Sequence, residues 1–191
     1  MVNSIVEGFS LSHAAILNGS TGIEEVLGSI YGVRSGSLQL DQSSYDNTGD
    51  NVVLSTWFWA NKVNITIQGG YVPFDTLALI SGSKVTSSGS GVTQLFSLPL
   101  WEINTMNTAP RPMLIRIPAK DSNGVIRTLD FILYKVQFQP FSFTGPTYKA
   151  GLLLDYNGAA LFSTTDEAGN PVLDSATGLP SKAIGRLVSH A

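Results

Sequence analysis

The hydrophobic pattern along the chain is short and alternating, the period expected of strands rather than helices. The cleanest case is Lys62–Gln68, where Val63, Ile65 and Ile67 fall on one face and Lys62, Asn64, Thr66 and Gln68 on the other. Side chains of a strand point alternately to its two faces, so this segment predicts one face toward a core and one toward water. Val52–Trp59 is a preceding strand, and Ala60-Asn61 reads as the tight turn of a hairpin, because Asn tolerates a left-handed backbone. Tyr31–Leu40, Thr93–Ile103, Met113–Pro118, Val125–Gln139 and Tyr148–Tyr156 are further strands, with Ser83–Gly91 and Pro140–Pro146 as connections. In the fourth of these, strict alternation puts Ile132, Tyr134, Val136 and Phe138 on one face and Lys135, Gln137 and Gln139 on the other.

Two segments break the β pattern toward helix. Pro73-Phe74-Asp75-Thr76-Leu77-Ala78-Leu79-Ile80-Ser81-Gly82 opens on a proline, carries an acid in its first turn and closes on a glycine that can take the left-handed cap position. It is apolar nearly all round, so a helix over about 73–82 is predicted to be buried against a sheet through Phe74, Leu77, Ala78 and Ile80. A second, shorter helix is expected over His13–Leu17, started by Ser10 or Ser12 and stopped by Asn18-Gly19.

Asp41–Asn51 has three acids, no base and one aromatic, Tyr45. Such a stretch buries little apolar surface, and it reads as a long acidic hairpin loop. The polar, aperiodic stretch from Thr164 to the end reads as a C-terminal arm, about 164–191. With an N-terminal arm over about 1–22, the 191 residues are expected to form a single domain.

Composition sharpens the functional reading. Charged residues are 13% of the chain, against about 25% in an ordinary soluble domain. Ser, Thr and Gly fill the gap. A surface poor in charge is cheaper to desolvate and suits burial against partners. The net charge is −3, which argues against a basic nucleic-acid binder. The charge is polarised: residues 1–60 carry one base, Arg34, and six acids, whereas residues 61–150 carry eight bases and four acids. Opposite ends of that kind fit a head-to-tail stack of copies.

Chemistry is scarce. There is no cysteine, which excludes disulfides, thiolate metal sites and cysteine nucleophiles. His13 and His190 have no carboxylate or second histidine at a ligand spacing. Ser81-Gly82-Ser83-Lys84 spells an SxxK motif, but its serine ends a helix instead of starting one. Asp46, Asn47, Asp50 and Asn51 offer oxygen without the spacing or the bidentate Glu of a calcium loop. No cofactor, metal or enzymatic role is expected. No apolar run approaches a membrane span. Met1–Phe9 lacks a signal peptide's basic and apolar regions, so synthesis in a cytoplasm is expected.

The stretch Trp57–Gly82, with Lys62-Val63-Asn64-Ile65-Thr66-Ile67-Gln68 followed by Gly69-Gly70-Tyr71-Val72-Pro73 and the helix, resembles the major tail tube protein of long-tailed bacteriophages, most closely those of phages of actinobacteria. Tyr148-Lys149-Ala150-Gly151-Leu152-Leu153-Leu154 is similar to a closing strand of the same family, and the likeness covers about residues 20–165. The resemblance implies a mainly β fold, a sandwich or barrel with one flanking helix. It also implies rings of six copies that stack into the tube through which viral DNA leaves, and a place in the virion tail after synthesis in the host cytoplasm. Tape measure, distal tail and tail terminator proteins are the implied partners, with no membrane. On that reading Asp41, Tyr45, Asp46 and Asp50 belong to a ring-stacking loop. Arg34, Ser35, Ser37, Gln39, Asn64, Thr66 and Gln68 face the lumen, where few cations should be found because DNA must slide and not bind. The alternative is a carbohydrate-binding β-sandwich, an adhesin or tail decoration module, with Trp57, Trp59 and Trp101 as a stacking platform.

Overall fold

A computed structural model describes residues 5–8, 13–18, 26–49, 52–71, 73–99, 109–121, 123–139, 142–144 and 153–190. The fold is mainly β with one α-helix. In chain order the elements are β1 (Ile5–Gly8), β2 (His13–Leu17), β3 (Val26–Gly49), β4 (Val52–Tyr71), α1 (Phe74–Ser81), β5 (Thr86–Ser88), β6 (Leu95–Ser97), β7 (Arg111–Asp121), β8 (Ile126–Phe138), β9 (Ser142–Thr144), β10 (Leu153–Ala160) and β11 (Gly185–His190). A short 3-10 turn, Gly91–Thr93, lies between β5 and β6.

The antiparallel pairings close on themselves. β7 pairs with β2, β2 with β3, β3 with β4, β4 with β10, β10 with β8, and β8 returns to β7. Six strands thus make a small barrel, which leaves fewer exposed edges than an open sheet would. β1 adds to β7 beyond β2, β9 to β10, and β11 to β8 beyond β10. β5 and β6 form a separate two-stranded hairpin.

The interior is built by the inward faces of these strands. Ala14 and Ile16 of β2, Ile30 of β3, Ile65 and Ile67 of β4, Met113 and Ile115 of β7, Leu133, Val136 and Phe138 of β8, and Leu154 and Tyr156 of β10 form one buried cluster with Leu77 and Ile80 of α1. Each fully buried aliphatic side chain contributes about 1.5–3 kcal/mol by leaving water. A second cluster, Ala15, Leu17, Leu114 and Ile132, lies on the opposite face of β2, with Tyr134 and Val188 packed against it.

The alternation predicted for Lys62–Gln68 holds: Ile65 and Ile67 are buried, Val63 packs on the core, and Asn64 and Thr66 are exposed. Four other expectations are corrected. His13–Leu17 is a strand paired with β3 and β7, and Ala14–Leu17 are buried on both of its faces. The residues expected in an N-terminal arm thus supply β1 and β2. Asp41–Gly49 is strand and not loop, continuing β3 against β4. Ala60-Asn61 is no hairpin turn: Asp41 lies opposite Lys62 and Gln42 opposite Ala60, so Asn61 is the extra residue of a β-bulge. In β8, Arg111 faces Val136 but Met113 faces Leu133, so Tyr134-Lys135 bulge opposite Pro112. The bulge shifts the inward phase, putting Leu133 and Val136 in the barrel core and Ile132 and Tyr134 against the second cluster.

The expected C-terminal arm ends as β11, docked on β8. There the Asp130 carboxylate accepts two hydrogen bonds from Arg116, both 2.7 Å, and lies 3.0 Å from His190 Nε2. Before it, the Glu167 carboxylate, 5% exposed, pairs with Arg186. At the β7–β8 turn, buried Asp121 accepts from Arg127 Nε (2.9 Å) and from the backbone N–H of Asn123 (2.9 Å) and Val125 (3.0 Å).

The helix forms where predicted. Gly82 closes it in the left-handed region at φ 71°. Thr76 fixes its distance from β3: Thr76 Oγ1 accepts from Ser29 N–H (3.2 Å) and donates to Ser29 O (3.3 Å). Gly28 makes this approach feasible, since a Cβ there would lie 2.8 Å from Thr76 Oγ1.

Candidate functional site

Beyond Lys62, β3 and β4 leave the barrel as a two-stranded ribbon. Among the described residues no strand pairs with β4 over Val52–Lys62, nor with the other edge of β3 over Tyr31–Gly49. Nine strand residues from Asp41 to Gly49 correspond to a reach of about 30 Å. An isolated two-stranded hairpin is at best marginally stable in water, so cross-strand side chains matter here. Thr56 Oγ1 donates to Asp46 Oδ1 (2.7 Å), Asn61 Nδ2 donates to Ser43 Oγ (3.2 Å), and Lys62 lies 3.9 Å from Asp41.

The ribbon also carries apolar surface. Tyr45 stands opposite Trp57 and Ser43 opposite Trp59, and directly opposed residues share a face. Tyr45, Trp57 and Trp59 therefore form one aromatic row, 61%, 67% and 49% exposed. Among the described residues, none covers these rings. Asp50 and Trp101 lie outside the described residues.

The same face continues down the outer wall of the barrel. Counting back along β3 from Tyr45 by twos gives Ser43, Asp41, Gln39, Ser37 and Ser35. Ser35 opposes Gln68, Ser37 opposes Thr66 and Gln39 opposes Asn64. On the far side of β4, Gln68 opposes Asp155, Thr66 opposes Asn157 and Asn64 opposes Ala159. Two of these rows are joined by hydrogen bonds, Gln68 Nε2 to Asp155 Oδ1 at 2.8 Å and Thr66 Oγ1 to Asn157 Oδ1 at 3.2 Å. The result is a three-strand wall of hydroxyls and amides with one carboxylate and no cation in these rows. Six of the seven residues expected to share a polar face are thus brought together in adjacent pairs. The seventh, Arg34, is the extra residue of a β3 bulge, between the Val33–Gly69 and Ser35–Gln68 pairs. Its side chain lies outside the described residues.

The helix residues divide. Leu77 and Ile80 enter the core and Ala78 is half-buried, but Phe74 is 49% exposed. At about 100° per residue, Phe74 sits roughly 110° round from the centre of the buried Thr76–Leu77–Ile80 stripe. Thr76 is the helix residue that sequence reasoning missed; its signal was a lone hydroxyl in an otherwise apolar run facing a glycine-containing strand.

No group of three or more potential metal-ligating side chains occurs among the described residues. None of their helices is long and apolar enough to cross a membrane. His190 meets a carboxylate after all, but Asp130 also accepts both Arg116 hydrogen bonds, so the group clamps β11 onto the barrel. Neither the scan against protein-family models nor the search of curated proteins finds a match.

Proposed function

We propose that this chain is a structural subunit of a phage-type tail tube, assembling in rings that stack into a conduit for double-stranded DNA. The ribbon carries the reading. It projects from the barrel with both strand edges unpaired among the described residues and an exposed aromatic row, and such a feature gains most by being covered by another copy. The polar wall supports the second half. Hydroxyls and amides present dipoles to DNA without the cations that would hold phosphates. The ring number of six and the tape measure, distal tail and terminator partners follow from the family resemblance.

The test is negative-stain microscopy with sedimentation velocity on concentrated protein. The full chain should give rings or hollow tubes. A variant in which Gln42–Ala60 is replaced by an Asn-Gly turn should keep its β-type circular dichroism and fail to stack. Tubes formed by the shortened chain, or a strictly monomeric full chain even with assembled tail tips as seeds, would refute the proposal.

The second reading is a carbohydrate-binding module, favoured by the accessibility of Trp57 and Trp59. Glycan-array binding that disappears in Trp57→Ala, without tube formation by the parent chain, would replace the first reading with this one.

A further inference from the structure

A cavity of about 610 Å³ lies where the start of β7, the bulge of β8 and the segment after β10 meet, and it does not involve the ribbon or the polar wall. Its volume is that of a pocket for a drug-sized ligand. Arg111, Lys135 and Lys182 line it, together with Tyr134, Phe162 and Asp166. The β8 bulge sets this up. Consecutive residues of a plain strand point to opposite faces, yet Tyr134 and Lys135 both reach the cavity because they bulge together opposite Pro112. Proline has no N–H to offer the ladder. The bulged backbone is instead held by Tyr134 N–H donating to Ile184 O (2.9 Å) and Leu161 N–H donating to Lys135 O (2.8 Å).

The charge is unbalanced. Among the described residues, none of the three cations has a carboxylate within 4.0 Å. The Asp166 carboxylate is already engaged, accepting from the backbone N–H of Ala168 (2.9 Å) and Asn170 (2.8 Å) and from Asn170 Nδ2 (3.3 Å). Three positive groups against one occupied negative one give the cavity a formal charge of +2 (3 − 1) in a protein of net charge −3. Converging like charges repel until an anion sits among them, so a multivalent anion gains from all three at once. Phe162 adds a partly exposed aromatic surface. Burial, together with the Glu167 charge, raises the Tyr134 phenol, which therefore stays a neutral donor.

We propose that this cavity binds an organic polyanion of the nucleoside-polyphosphate type, its phosphates among Arg111, Lys135 and Lys182 and its flat ring against Phe162. The inference does not depend on the tube reading. Isothermal titration calorimetry of the full chain with ATP at 50 mM salt should show one saturable site. Lys135→Gln/Lys182→Gln, at exposed positions that leave the fold intact by circular dichroism, should weaken it at least tenfold, and 300 mM salt should weaken it further. Adenosine should not bind, and tripolyphosphate should bind less tightly than ATP. Absence of saturation by 5 mM ATP, or affinity unchanged in the double variant, would overturn the site. Tripolyphosphate binding as tightly as ATP would overturn the role of Phe162.

Discussion

The docking of α1 on β3 can be tested by crowding it and then relieving the crowding. In Gly28→Ala the new methyl would stand 2.8 Å from Thr76 Oγ1, 3.1 Å from Thr76 Cγ2 and 3.2 Å from Leu79 Cδ1, all under the 3.4 Å of ordinary contact. Thr76 cannot simply rotate away, because its hydroxyl is bonded to both backbone groups of Ser29. Overpacking of this kind costs about 1–3 kcal/mol. Thr76→Ala alone forfeits those hydrogen bonds and opens a small gap, a loss of about 1–2 kcal/mol. In the double variant the methyl added at Gly28 enters the space the threonine vacated, so the combined loss should fall short of the sum by about 1 kcal/mol or more. Urea unfolding followed by far-UV circular dichroism reads this as a shift in midpoint at constant m-value. In thermal melts each kcal/mol corresponds to roughly 2–4 °C for a chain of this size. Strict additivity of the two substitutions, or a neutral Gly28→Ala, would show that the helix does not rest on Gly28 as described.

Other outcomes follow from the same geometry. Arg116 hydrogen bonds, outweighing the opposing effect of burial and helped by His190, hold the Asp130 carboxyl below the usual carboxylate range. Its folded pKa is thus below its unfolded one, so its stabilisation is complete above about pH 4 and is lost as pH falls through the depressed value. Urea midpoints from pH 7 to 2.5 should decline less steeply in Asp130→Asn, and Asp130→Ala should lose about 1–2 kcal/mol at pH 7, because Arg116 and His190, left without it, are half exposed and regain water. Gly185→Ala would drive a Cβ into Ile132 O, so β11 should detach while the barrel persists, seen as fast amide exchange confined to residues 185–190. Thr66→Lys with Asn157→Lys adds cations to the polar wall, and assembled material should then retain double-stranded DNA in a salt-dependent manner that the parent does not show.

Much of the barrel wall was legible because it faces water on one side only. Val63, Ile65 and Ile67 alternate with polar residues, and that contrast is what a period-two pattern encodes. β2 has no such contrast: Ala14 and Ile16 enter one cluster, Ala15 and Leu17 the other, so a strand buried on both faces reads as an undifferentiated apolar run. Two of the bulges defeat the reading in another way. A single extra residue at Asn61 mimics a turn, and the one at Tyr134-Lys135 changes which neighbours face inward, while neither leaves a local chemical mark. The acidic ribbon reads as loop in the sequence because composition reports burial, and a ribbon held by backbone pairing and a few cross-strand bonds needs little of it. Six of the seven polar-face residues are legible as two strands' wet sides; their continuation onto Asp155 and Asn157 depends on β10, about ninety residues away in sequence, and is invisible.

The position of β2 has a consequence for biosynthesis. This segment, from the first twenty residues, is wedged between β3 and β7, and β7 ends at Asp121. The cylinder then shuts only through β10, which ends at Ala160. During synthesis β2 can pair with β3 soon after both emerge, but its other edge stays open until β7 follows, about a hundred residues later. Its greasy HAAIL segment is exposed to neighbours throughout that interval, and closure of this kind is slow because so many of its contacts are remote in sequence.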